Sequence, residues 1–138
     1  FNMRKDFKPI PGAEGWQLSN PPILSMAAIR ASLDVFERAG FDNLRQKSKQ
    51  LTGYLAYLVE QLNNPNIRII TPSHPDERGC QLSFQIKGAN KSVFDALSKA
   101  NVVADWREPD VIRIAPTPLY NSYTDVYTFI KRLKQVLA

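Results

Sequence analysis

The sequence predicts an α+β domain in which a small, mostly antiparallel sheet of about four strands packs with helices in the order ααββαββα. Three observations carry that expectation. Apolar residues recur at helical spacing in four segments, and they alternate with polar residues in the short runs between. Runs of helix stand beside short strands and tight turns. The 138 residues are the length of one ordinary domain, enough to bury a core without disulfide or metal staples. Hydrophobic residues at 43% against 22% charged place the chain among globular rather than disordered sequences.

Residues 1–20 are polar and punctuated by Pro9, Pro11, Gly12 and Gly15, so they read as an arm or linker. Residues 21–138 read as the folded domain. Asn20 before Pro21 and Pro22 has the pattern of a helix start, with a capping side chain and prolines where no backbone donor is needed. That helix should run to about Ala39. Ile29, Leu33 and Phe36 share one of its faces, and Gly40 suits its C-terminal cap. A second helix is expected from Asp42 to Leu62 with an apolar stripe of Leu44, Leu51, Leu55, Leu58 and Leu62. Asn63-Asn64-Pro65-Asn66 ends it.

The period then changes to two. Ile67 to Thr71 and Gly79 to Lys87 read as strands, the second alternating Leu82, Phe84 and Ile86 with Gln81, Ser83 and Gln85. Asn90 can cap a short helix that carries Val93, Phe94 and Leu97. Strands at Val102 to Trp106 and Val111 to Ala115 follow, joined by a turn at Glu108-Pro109-Asp110. Ser122, with Asp125 three residues on, resembles a capping box for a last helix from Tyr123 to Leu137.

Several function classes fall away. With 18 basic and 13 acidic residues the net charge is +5, which raises nucleic acid as a partner. The basic residues are spread over several elements with acids between them. There is no aromatic run on a central strand and no basic helix shaped to read a groove. No nucleic-acid partner is expected. The longest uncharged apolar stretch, around Ile23 to Ile29, is far too short to span a membrane, so no membrane partner is expected either. His74 and Cys80 cannot fill a metal site that wants three or four ligands, and no metal is expected. His74 reads as a solvated loop residue and Cys80 as a small buried hydrophobe, in preference to a nucleophile pair. Neither G-x-x-x-x-G-K nor G-x-G-x-x-G occurs. The single cysteine fits a reducing compartment, and a cytoplasmic location is expected. Opening on Phe1-Asn2-Met3, the chain is expected to be a piece of something longer.

Two features stand apart. Arg113 lies within Val111-Ile112-Arg113-Ile114-Ala115, on the strand face opposite Ile112 and Ile114. It reads either as an exposed arginine on the solvent side of a sheet or as a rigidly mounted fork for a carboxylate. The segment Gly15-Trp16-Gln17-Leu18-Ser19-Asn20-Pro21-Pro22 reads either as a capped helix start or as an anion site built on that helix end.

Together with their surroundings these features resemble the C-terminal part of the kynureninase family. The stretches that carry the resemblance begin with Gly15 to Leu24, Ala31-Ser32-Leu33-Asp34 and Leu51-Thr52-Gly53-Tyr54-Leu55. Ile70-Thr71-Pro72-Ser73-His74, Glu77-Arg78-Gly79-Cys80-Gln81-Leu82 and Ile112-Arg113-Ile114-Ala115-Pro116 continue it. Pro118-Leu119-Tyr120-Asn121-Ser122 and Asp125-Val126-Tyr127 complete it, so nearly the whole chain is covered in order.

The resemblance implies the C-terminal small domain of a pyridoxal-phosphate hydrolase of the aspartate-aminotransferase fold type (fold type I), with residues 1–20 continuing from a large domain. Such enzymes cleave L-kynurenine or 3-hydroxykynurenine to anthranilate or 3-hydroxyanthranilate and L-alanine, in tryptophan catabolism by the kynurenine pathway and in NAD biosynthesis. They are homodimers with shared active sites. By the same resemblance Arg113 matches the arginine that grips the substrate carboxylate, Asn20 matches a cofactor-pocket asparagine, and Ser19 lies beside it at the substrate. The family's Schiff-base lysine follows a tyrosine, and none of the nine lysines here does, so no catalytic residue is expected in this piece and no activity from it alone. The competing expectation is a free-standing α+β module that binds a carboxylate ligand, or regulates, without chemistry.

Overall fold

The computed structural model describes residues 5–137. They divide into two compact units, one ending at Ala39 and the other beginning at Gly40.

The first unit holds a 3-10 turn at Ala13–Trp16 and the helix α1, Ile23–Ala39. Gly15 is required in that turn, because a Cβ there would stand 2.2 Å from the Ile10 carbonyl oxygen. The helix begins later than the sequence suggests. The Pro22 carbonyl accepts the first helical bond, from the Met26 N–H at 2.9 Å, which makes Pro22 the capping residue instead of Asn20. The reason lies in the proline pair. Pro21 precedes another proline and is kept out of the helical region, so no helix can pass through it back to Asn20. None of the α1 residues is buried, and the expected apolar face of Ile29, Leu33 and Phe36 is exposed.

The second unit contains α2 (Phe41–Glu60), β1 (Ile67–Ile69), β2 (Leu82–Ile86), α3 (Lys91–Lys99), β3 (Asp105–Arg107), β4 (Val111–Ile114) and α4 (Tyr123–Val136). Among the described residues these give, with α1, the expected four helices and four strands in the order ααββαββα. The sheet runs β1-β2-β4-β3 and is antiparallel at every pairing. Leu82, Phe84 and Ile86 of β2 and Ile112 of β4 project from one face into a core closed by Leu51, Leu55 and Val59 of α2, Leu97 of α3, and Val126, Phe129, Ile130 and Leu133 of α4. Phe84 stacks on Phe129 with ring centroids 6.4 Å apart.

The strands are shorter than the sequence runs, and each truncation has a physical cause. Beyond Ile69 the Thr71 hydroxyl, not a backbone carbonyl, accepts the Ser83 N–H at 2.8 Å, so a side chain ends the β1–β2 ladder. Residues 79–81 find no partner because β4 ends at Ile114, two residues before Pro116. Val102 is drawn away from β3: Asn101 takes the left-handed conformation (φ 57°), and the Val102 N–H closes α3 on the Leu97 carbonyl at 3.0 Å.

Both later caps follow the sequence. The Asn90 side chain accepts the Ser92 N–H at 2.8 Å. Ser122 Oγ accepts the Asp125 N–H at 3.2 Å while Asp125 Oδ2 accepts the Ser122 N–H at 2.8 Å, a complete capping box. The backbone hydrogen bond from Ser122, followed by the one from its hydroxyl, holds the Asp125 carboxyl below its ordinary value. A carboxyl depressed in the folded state contributes stability that is full above the unfolded value of about 3.9 and is lost as pH falls through the folded value. Asp125→Asn should therefore be less stable than the native chain in urea unfolding at neutral pH. The gap should narrow as pH is lowered below that unfolded value. A gap of the same size at neutral and at acidic pH would show that the ionised carboxylate contributes nothing.

Candidate functional site

Alternation along the strands gives the sheet a second face, away from the helices. Ile112 is 1% exposed in the core, so its neighbour Arg113 must leave the opposite face. Antiparallel register then fixes its flanks: Ser83 of β2 lies opposite on one side and Asp105 of β3 on the other. The next row holds Gln85, Val111 and Arg107. Arg113 therefore stands on an inner strand with hydrogen-bonded neighbours on both sides, a rigid mount for a long side chain.

Arg113, Asp105 and Arg107 form one cluster on this face, which also carries Arg68, the register partner of Gln85, and the Asp110 carboxylate, which accepts from Gln85 Nε2 at 3.2 Å. Arg113 Nε donates to Asp105 Oδ2 at 2.6 Å, and Arg113 Nη2 donates to the same oxygen. Arg107 Nη2 lies 3.1 Å from that oxygen too. The hydrogen bond from Arg113, aided by the charge of Arg107, holds the Asp105 carboxyl below its ordinary range and keeps it ionised near neutrality. Two guanidiniums around one carboxylate leave one net positive charge. The Arg113 side chain is 32% exposed. The arrangement can bind an anion and hold it in a fixed orientation.

Arg113 thus sits where the sequence places it, on the outer sheet face, with an acid already beside it. Ser19 and Asn20 belong to the first unit, next to each other before α1 and both exposed. The Ser19 carbonyl accepts the Gln17 side-chain amide at 2.6 Å. Asn20, displaced from the cap by Pro22, keeps its amide outside the helix hydrogen bonding. His74 caps the 3-10 turn Pro75–Glu77, its Nδ1 accepting the Asp76 N–H at 3.3 Å, and Cys80 is half-buried. A cavity of about 590 Å³ lies in the second unit between the end of β4 and α4, lined by Ile114, Thr117, Asn121, Phe129 and Arg132 among others. Arg113 is not part of that lining.

The sequence reading missed Asp105 and Arg107. The signal was present in the hairpin itself. A three-residue turn at 108–110 pairs Arg107 with Val111, and counting back two places sets Asp105 against Arg113.

Residues 44–133 match the family model described as Kynureninase C-terminal domain. The chain belongs to the kynureninase C-terminal domain family. Kynureninases of similar sequence include those of Koribacter versatilis (strain Ellin345), 52% identical over 132 residues, and Stenotrophomonas maltophilia (strain K279a), 53% identical over 137. These alignments cover 96% and 97% of the chain but 31% and 32% of those kynureninases, so the chain spans about a third of their length. Among solved structures, a NifS-like protein from Rickettsia africae ESF-5 superposes with a TM-score of 0.71 at 14% identity, over 96% of this chain and 40% of that one. A second NifS-like protein superposes with a TM-score of 0.70 at 19% identity. The kynureninase C-terminal fold is thus also that of NifS-like proteins.

Proposed function

We propose that this chain is the C-terminal domain of a kynureninase, a pyridoxal-phosphate-dependent hydrolase that cleaves L-kynurenine or 3-hydroxykynurenine to anthranilate or its 3-hydroxy form and L-alanine. In this reaction water adds across the bond between the side-chain carbonyl carbon and the β-carbon. Its hydroxyl ends on the aromatic acid and its hydrogen on the methyl of alanine. The observation that carries the reading is Arg113: a guanidinium anchored on an inner strand, part-exposed, in a cluster of net positive charge.

In the proposed mechanism Arg113 binds the α-carboxylate by two-point pairing and so fixes the substrate's orientation. Ser19 adds a hydroxyl at the substrate, and the Asn20 amide, not engaged by the helix, offers two N–H donors and a carbonyl acceptor at the edge of the cofactor pocket. The Asn20 amide suits an anionic, oxygen-rich cofactor. The lysine that holds pyridoxal phosphate is not supplied by this chain, where no lysine follows a tyrosine. When bound, that cofactor supplies the electron sink that makes carbon–carbon cleavage accessible. The likeness to kynureninases at about 50% identity supports the cofactor and the substrate class. Homodimerisation, a cytoplasmic location and a place in tryptophan catabolism and NAD biosynthesis belong to the same reading.

The test compares the 138-residue chain with its full-length parent, each given pyridoxal phosphate and L-kynurenine, with anthranilate fluorescence as the readout. Fluorescence from the parent and none from the chain alone is expected. A silent parent would remove the reading.

A further inference from the structure

We infer that Asp105 is a positioning residue for Arg113, fixing which edge of the guanidinium meets the substrate carboxylate. The inference rests on the carboxylate role proposed above for Arg113 and adds a residue that the sequence reading did not single out.

The geometry is specific. Asp105 and Arg113 are direct register partners on adjacent antiparallel strands, close enough for their side chains to pair across the ladder. Asp105 Oδ2 accepts from Nε and from Nη2, which together form the side edge of the guanidinium plane. The end edge, made by Nη1 and Nη2, is the other one that can pair with a carboxylate at two points. Occupying the side edge therefore orients the plane and directs the end edge outward. An arginine without such a partner would spread over many rotamers and lose that direction.

Charge balance fits the same role. A lone aspartate would neutralise Arg113 and weaken its hold on a second anion. Arg107 shares the same Asp105 oxygen, so the cluster keeps one positive charge for a ligand. The alternative is that Asp105 merely fills the fork and must be displaced by substrate. The two ideas predict opposite changes in KM.

The experiment uses the full-length enzyme with Asp105→Asn, Asp105→Glu and Arg113→Ala, assayed with L-kynurenine and with its uncharged α-carboxamide. Cofactor retention is followed by absorbance. For Asp105→Asn the KM for L-kynurenine should rise about tenfold, the cost of one weakened charge-assisted contact, with kcat within about threefold. The KM for the carboxamide should barely move, because that ligand has no carboxylate to misplace. Asp105→Glu should recover part of the loss. A purely structural role would shift both substrates alike and would overturn the inference, as would an unchanged or lowered KM for L-kynurenine. Arg113→Ala separates the two levels. If it raises KM while Asp105→Asn does not, only the positioning role fails. If it leaves KM unchanged, the carboxylate clamp fails and the positioning role with it.

Discussion

Replacing Arg113 with alanine in the full-length enzyme is expected to raise KM for L-kynurenine by about a hundredfold while leaving pyridoxal phosphate bound. The magnitude follows from two charge-assisted hydrogen bonds at about 1.5 kcal/mol or more each, where every 1.4 kcal/mol is a factor of ten. It is large because the ligand charge would then face only Asp105 paired with Arg107, two groups with no net charge between them. The substitution removes a side chain from the outer sheet face and leaves Ile112 and the core beneath undisturbed. Arg113→Lys should fall between the two, since an ammonium keeps the charge but not the planar fork. The check is steady-state kinetics together with the cofactor absorbance of the purified variants. A KM within twofold of the native enzyme would end the assignment of Arg113 to the carboxylate.

The second large effect concerns stability. Phe84 is 1% exposed on β2, with β1 and β4 as its sheet neighbours, and it stacks on Phe129 of α4. Phe84→Ala deletes the ring that joins sheet and helix layers, and should cost about 3–5 kcal/mol from lost burial and the cavity left behind. A domain typically has only about 5–15 kcal/mol in total, so the urea midpoint should fall steeply or the chain should no longer fold. Phe84→Leu keeps most of the volume and should cost about 1.5 kcal/mol or less. Denaturant unfolding followed by circular dichroism measures both. A loss below about 1 kcal/mol for the alanine variant would mean that the two layers are held together elsewhere.

The fold was legible to the degree that period and punctuation set it locally. Leu82, Phe84 and Ile86 alternate with polar neighbours, and all three are buried. Asn90, Ser122 and Asp125 cap where their spacing says they should. Strand ends were less legible because ladders end when partners run out, and partners are set by tertiary pairing. Residues 79–81 carry a strand pattern but have no ladder partner on β4. The helix start at Pro22 turned on how two successive prolines constrain each other, a stereochemical detail stronger than the capping preference of Asn20.

The candidate site divides in the same way. Arg113 could be read from parity within its own strand. Asp105 and Arg107 needed the pairing of one strand with the next, a step in which an error of one residue reverses the answer. The segment holding Ser19 and Asn20 could be read locally as a helix start or an anion site, but their separate roles came from resemblance.

Because Asp105, Arg107 and Arg113 alternate with core-facing residues along β3 and β4, the residues that build the core and those assigned to the ligand are interleaved in the same strands. Sliding β4 by a single residue would turn Ile112 to the outside and bring Arg113 under the helices, stripped of water. Burying such an ion without its partner costs several kcal/mol, a large share of what holds a domain together. The charged face would then act as a proofreading device during folding, rejecting the misaligned sheet that an all-apolar strand would tolerate.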